Sequence, residues 1–190
     1  MRDEAIRLAI ETAFEGVTLS GGISLRQADV IDHNGEGCTQ EGFRLLPLNE
    51  ITDSWRSVAI EDMEDNGDLA HMDALGFRYY VAAFMHSLVV SPSSGSVREV
   101  STIMSLCPTE KLAEFSHAKY TALNPRQRHA ILAFLIWFRS KPDTDAEDRE
   151  LVDLAIETYW GKYSAEAPIQ SSEPTLSSGT SPAGQEPRLP

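Results

Sequence analysis

An unbroken apolar run in the C-terminal third of the chain predicts the central helix of the fold. Every residue from 130 to 138 is apolar, and a helix with so little polar surface must be covered on several sides. A helix start precedes the run at Asn124, Pro125 and Gln127. Asn and Gln can form a capping box, and proline suits the first helical position because it has no amide hydrogen that needs a hydrogen-bond partner. We therefore predict a core helix over 124–140. A bilayer span requires about 20 apolar residues, so this run is too short to cross a membrane.

Helical periodicity elsewhere predicts a mainly α-helical, compact multi-helix domain around that central helix. Apolar residues recur at helical spacing over residues 2–15. Capping-box patterns predict further helix starts at Ser24 and Thr144. A helical stretch just before the central helix is predicted to turn Leu112 and Phe115 inward.

The middle of the chain gives less regular patterns. Residues 77–81 are mostly aromatic or β-branched and favour a strand, so a small β hairpin is predicted near 69–80, followed by helical residues over 82–88. Residues 97–106 fit either a strand or a helix, since short β-branched runs do not define a period.

The chain is strongly acidic. Its 190 residues include 29 acidic and 16 basic ones, which gives a net charge of −13. This charge argues against nucleic acid or an anionic membrane as the main partner, because both are negatively charged. A basic or polar protein partner fits the charge, and the alternative is that the charge serves solubility alone. Five acids fall within residues 61–68, where a solvated helix end is the simplest interpretation.

Composition divides the chain into one domain and a tail. Residues 1–163 have the mixed composition of a single globular domain. Residues 164–190 are mainly Ser, Pro, Gly, Glu and Gln, so this tail is predicted to be disordered. The two cysteines, Cys38 and Cys107, are too few for a disulfide framework, and the N-terminus lacks a signal-peptide pattern. A cytoplasmic location is therefore expected.

Local motifs for a cofactor, a metal or a catalytic group are not found in the sequence. The five histidines never pair with a second His or Cys at ligand spacing. Cys107 lies among apolar residues and before Pro108, so it is predicted to be a buried, inert thiol rather than a nucleophile. We therefore expect no cofactor, no metal site and no catalytic residue, and the patterns leave the oligomeric state open.

Arg78, Tyr79, Tyr80 and His86 form the cluster whose residue types best fit a binding site. In a strand, Arg78 and Tyr80 would share one face, and arginine and tyrosine are common at binding hot spots. Two interpretations stay open. These side chains line a cleft, or Arg78 pairs with the acids of residues 61–68 in a structural role.

Arg126 and Arg128 are a second pair of candidate binding residues. They lie in the first turns of the predicted central helix, where positive charge opposes the helix dipole. They are candidates for contact with an anion or an acidic partner, and the alternative is solvated surface charge.

Several patches of the sequence, at residues 17–19, 27–32, 76–85, 101–103, 124–135 and 155–161, occur in one characteristic order. This order resembles an uncharacterised bacterial family, the domain of unknown function 6714. The resemblance implies a common fold over residues 4–163 and brings no activity, ligand or catalytic residue. The chain departs from the family pattern at Ala82, where the family tends to have proline, and at Val100, where it tends to have an acid.

Two classes of function are compatible with these patterns. The first is a non-enzymatic protein-interaction or regulatory module, such as an immunity-type inhibitor, that offers an acidic face to a basic partner. The second is an enzyme of unfamiliar type with a cleft around Arg78, Tyr80 and His86.

Overall fold

A computed structural model describes residues 2–34, 53–67 and 69–164 of the chain. Within these ranges the chain is mainly α-helical, and none of its helices is long and apolar enough to cross a membrane. The same ranges contain no β-strand, so the hairpin predicted near 69–80 is wrong. The eight helices found there are α1 (Asp3–Ala13), α2 (Leu25–Asn34), α3 (Ile60–Asp65), α4 (Ala74–Val90), α5 (Val97–Leu106), α6 (Ala113–Lys119), α7 (Pro125–Arg139) and α8 (Ala146–Thr158).

The central apolar helix predicted over 124–140 is confirmed as α7. The Asn124 side chain accepts a hydrogen bond from the Gln127 amide at 2.9 Å, and the Gln127 side chain accepts one from the Asn124 amide at 3.0 Å. This capping box starts the helix next to Pro125. Nearly all of its apolar residues are buried, although Ile136 is 37% exposed.

A second buried helix, α4, shares the core with α7. Asp73 caps its start by accepting a hydrogen bond from the Gly76 amide at 2.8 Å, and twelve of its 17 residues are buried. Residues 77–81 favour strands by type, but they continue into an apolar run that is too long for a strand. A helix buried on most sides has no polar face to mark its period, so the strand prediction failed here.

Helix α1 packs against both α4 and α7. Its apolar stripe of Ile6 and Ile10 is fully buried, as its helical periodicity predicts. The Trp137 indole donates to Asp3 Oδ1 at 2.8 Å and so fixes α7 to the start of α1. These three helices position the remaining elements around one apolar core.

The loop before α2 crosses the start of α4 at two glycines. A β-carbon added at Gly76 would lie 2.3 Å from the carbonyl oxygen of Ile23, and one added at Gly22 would lie 2.3 Å from the Gly76 amide nitrogen. The Asp73 carboxylate also accepts a hydrogen bond from the Ile23 amide at 3.0 Å. The capping box predicted at Ser24 then starts α2.

Two predictions for the segments on either side of α7 are wrong, because Leu112 and Phe115 do not face inward and Thr144 does not cap α8. Leu112 and Phe115 are 52% and 55% exposed, because Ser116 and Lys119 of α6 turn inward instead. Helix α8 begins after Asp145, which caps the Asp148 amide at 2.8 Å, while the hydroxyl of Thr144 donates to the Phe138 carbonyl. The single domain over 1–163 stays a prediction. Of the predicted tail, residues 165–190 lie outside the part of the chain that the structure describes.

Candidate functional site

The predicted cluster of Arg78, Tyr79, Tyr80 and His86 is not assembled on one face. Successive helical residues are about 100° apart, so Arg78 and Tyr80 leave α4 on nearly opposite sides. Tyr79 and Tyr80 are 0% and 1% exposed, and their rings meet edge to face with centroids 4.8 Å apart. The shared face predicted for Arg78 and Tyr80 depended on a strand that does not form.

Arg78 is half-buried, and its buried Nε atom has no hydrogen-bond partner among the residues that the structure describes. The alternative interpretation paired it with the acids of residues 61–68. Within the described part of the chain, Glu64 is the acid of residues 61–68 that forms an ion pair, and it pairs with Arg98 at 2.5 Å. Arg98 therefore takes the structural role that the second interpretation gave to Arg78.

His86 joins α4 to α1. Its Nε2 lies 3.0 Å from Glu11 Oε1, and its ring packs edge-on against Trp55. Arg7 donates to the same carboxylate oxygen at 2.5 Å. Burial acts to raise the pKa of Glu11, but hydrogen bonds and charge from His86 and Arg7 outweigh it, so this pKa lies below its usual value. A carboxylate-bound histidine can act as a general base, but these contacts also account for His86 as a tie between two helices.

Arg128 contacts other parts of the protein, whereas Arg126 is exposed. The Arg128 guanidinium donates to the Tyr120 carbonyl at 3.2 Å and to the Tyr163 hydroxyl at 3.4 Å. It also lies over the Tyr163 ring, 5.2 Å from its centroid. Arg128 thus links the start of α7 to the 3₁₀ turn Trp160–Tyr163.

The described residues hold neither a reactive thiol nor a cluster that fits a metal ion. Cys107 is a free cysteine, 2% exposed, and burial raises the pKa of its thiol to about 12. The prediction of a buried thiol is confirmed. No group of three or more His, Cys, Asp or Glu in these ranges is arranged to hold a metal ion.

Helix α5 has two apolar faces, and only one of them is covered. Ile103 and Leu106 are 1% and 0% exposed and belong to the core. On the other face, Val97, Val100 and Met104 are 49%, 54% and 47% exposed. The spacing i, i+3 and i+7 places these three side chains along one stripe.

The exposed stripe of α5 forms one wall of a groove of about 320 Å³. The groove is lined largely by small and apolar residues, with serine as the polar component. A β-carbon at Gly67 would lie 2.5 Å from Val97 Cγ1, so the chain after α3 lies directly against this wall. We call this feature the α5 groove, and its lining residues are Gly67, Ala70, Gly95, Val97, Val100, Ser101, Met104 and Ser105.

Polar contacts fix the walls of the α5 groove. Arg98, whose side chain is 3% exposed, donates to Glu64 of α3 and to the Ser91 carbonyl at 2.9 Å. The Leu69 amide donates to Ser101 Oγ at 3.2 Å. Walls held by such contacts keep their shape without a ligand, and preformed walls lower the cost of binding one.

One wall of the groove follows an acidic segment of the chain. Residues 57–77 include six Asp or Glu and no Lys or Arg. Asp62 and Asp65 of α3 are exposed, whereas Glu64 is committed to Arg98. The groove therefore combines an apolar stripe on α5 with exposed negative charge on α3.

Sequence reasoning missed this surface because residues 97–106 gave no clear period. Once the segment is read as a helix, its apolar residues fall on two faces rather than one. A helix at the edge of a domain can bury only one of these faces in the core. Residues 97–106 contain more apolar residues than one buried face needs, and this was the sequence feature that could have indicated an exposed apolar face.

Comparison with known proteins identifies a family but no activity. Residues 1–164 match the family of unknown function DUF6714. No curated protein and no solved structure matches the chain. The family match confirms the resemblance found in the sequence and spans all eight helices described above.

Proposed function

We propose that this chain, which belongs to the family of unknown function DUF6714, is a non-enzymatic protein-binding module with a regulatory role. The observation that carries the proposal is the exposed apolar stripe of Val97, Val100 and Met104 beside the acidic helix α3. Large contiguous apolar patches on soluble proteins commonly mark interaction sites.

The charge of the chain supports a basic partner. Negative charge on one protein speeds its encounter with a positively charged surface and disfavours acidic competitors. Inhibitors of the immunity type, in which an acidic surface meets a basic target, are included in this proposal. A cytoplasmic location is part of the proposal as well, and the free thiol of Cys107 supports it because reduced cysteines persist there.

The alternative of an enzyme with a cleft around Arg78, Tyr80 and His86 has less support. Tyr80 is buried in the core, and His86 is bound by Glu11 of another helix. General acid–base catalysis needs the participating groups within reach of one reacting atom. We therefore base the proposed function on the surface of the protein.

Affinity purification of the full chain from its native host at low salt tests the proposal. Two double variants serve as matched baits, Asp62→Lys with Asp65→Lys on α3 and Glu150→Lys with Glu157→Lys on α8. All four acids are exposed, and both variants change the net charge equally.

We expect a reproducible protein partner that is retained by the wild type and by the α8 variant and lost from the α3 variant. Raising the salt concentration should also release it, because salt screens surface charge. The absence of any reproducible partner at low salt would contradict the proposed function.

A further inference from the structure

We propose that the α5 groove binds a basic amphipathic helix of the partner protein. Apolar side chains of that helix would cover Val100 and Met104, and its Lys and Arg side chains would face α3. This inference rests on the proposed function and adds to it the binding surface and the chemistry of the ligand.

The exposed stripe of α5 has the dimensions of a helix-binding surface. Val97 and Met104 are seven residues apart, so the stripe is about 10 Å long, or two helical turns. An amphipathic helix buries its apolar residues at i, i+3, i+4 and i+7 in such grooves. Methionine adapts to apolar partners of different shape, which suits Met104 to this role.

Small residues give a partner helix access to the stripe. Gly67 and Gly95 line the groove without side chains, and Ser101 and Ser105 add little bulk between the apolar positions. The exposed Phe115 lies near the Ala70 end, because its ring and the Ala70 carbonyl both contact the Lys119 ammonium. Its ring lies 4.5 Å from Lys119 Nζ, and this ammonium donates to the Ala70 carbonyl at 2.6 Å.

The charge around the groove selects a basic ligand over an acidic one. Asp62 and Asp65 are exposed on α3, and the segment that contains them has no Lys or Arg. The nearby cation Lys119 is 5% exposed and its ammonium is bound to backbone carbonyls. A cationic side chain placed along α3 therefore meets exposed negative charge.

Two synthetic peptides test this inference against the full chain. The first is an amphipathic helix of about 16 residues with leucine at helical spacing and lysine on its polar face, and the second has glutamate in place of every lysine. Fluorescence anisotropy at 50 mM and 300 mM NaCl measures both affinities. We expect the lysine peptide to bind at least about tenfold more tightly at low salt, and to lose several-fold in affinity at high salt. Equal binding of the two peptides would overturn the inference.

Surface variants show whether binding occurs at the groove. Val100→Glu and Met104→Glu place a charge on the stripe, and Leu154→Glu is the matched control because Leu154 of α8 is also 54% exposed. Val100→Ser repeats the test without a new charge. We expect each groove variant to reduce the affinity for the lysine peptide at least about tenfold. The reason is that burying an unpaired charge, or losing an apolar contact, at the interface lowers the free energy of binding. Equal effects of Val100→Glu and Leu154→Glu would overturn the inference.

A photo-crosslinking residue in place of Val100 identifies the occupant directly. A crosslink to the lysine peptide supports the inference, whereas a crosslink to residues 165–190 of the same chain or to a second copy overturns it. If the host partner is captured equally by wild type and by Val100→Glu, the proposed function stands and the groove inference fails. If neither a host partner nor the peptide binds, both fail.

Discussion

Replacing Gly76 by alanine is expected to destabilise the fold, although alanine ordinarily favours a helix. Gly76 lies in the first turn of α4, where the loop before α2 crosses the helix. An alanine β-carbon would lie 2.3 Å from the Ile23 carbonyl oxygen and 3.0 Å from Asp73 Oδ1. Because the closer atom belongs to the backbone, the loop must move as a unit.

The expected cost follows from three contributions. Relieving the contact with Ile23 requires a shift of roughly 1 Å, and overpacking of this kind costs about 1–3 kcal/mol. The shift also strains the hydrogen bond from the Ile23 amide to Asp73, which is worth about 1 kcal/mol. The helix propensity of alanine returns up to about 1 kcal/mol. The net loss in the free energy of unfolding is therefore about 2 kcal/mol, or a fall in Tm of about 4–8 °C.

Urea unfolding followed by circular dichroism measures this change. Gly16→Ala is the control, because Gly16 has φ +70° and open space around it, so only the backbone conformation should cost energy there, about 1 kcal/mol. In an Asp73→Ala background, Gly76→Ala should cost less, since one of its close contacts is gone. A Gly76→Ala protein as stable as the wild type, or more stable, would refute the close crossing of loop and helix.

Three further predictions concern Arg98, Glu11 and Cys107. Arg98→Met should lower the free energy of unfolding by about 2–3 kcal/mol in urea titrations, because Glu64 loses its partner; an unchanged midpoint would contradict this. The lowered pKa of Glu11 means that its stabilisation is complete above the unfolded-state pKa and is lost as pH falls through the folded-state pKa. Glu11→Gln should remove that part of the pH profile, less than about 1 kcal/mol, and an identical acid-unfolding profile would argue against the contact with His86. In a Cys38→Ser chain, Cys107 should react with a thiol reagent at pH 8 at least about a hundredfold more slowly than after unfolding, whereas equal rates would show that it is accessible.

The elements that could be predicted from the sequence are those with strong local signals. Helix α7 was predicted within a few residues because Asn124, Pro125 and Gln127 mark its start and Lys141-Pro142 follows its end. Helix α1 was predicted because its buried stripe repeats with the helical period. In both helices the residues that make up the signal, a capping box in α7 and an apolar stripe in α1, are only three or four positions apart in the sequence.

The rest depended on contacts between distant segments. Helix α4 has no polar face, so its aromatic residues suggested a strand, and that prediction was wrong. His86 and Glu11 are 75 positions apart and nothing local connects them. The same holds for Arg98 and Glu64, which are separated by 34 positions. The α5 groove was missed because a helix with two apolar faces does not reveal which one the core covers.

The most direct test of the account is a methyl NMR titration of the full chain with the lysine peptide. The assigned methyl groups of Val97, Val100 and Met104 report on the exposed stripe, and those of Leu8 and Leu154 report on equally exposed apolar surface elsewhere. We predict saturating shifts at the three α5 residues and unchanged signals at the two leucines. Shifts of similar size at all five residues, or none at α5, would contradict the proposal that this groove is where the protein binds its partner.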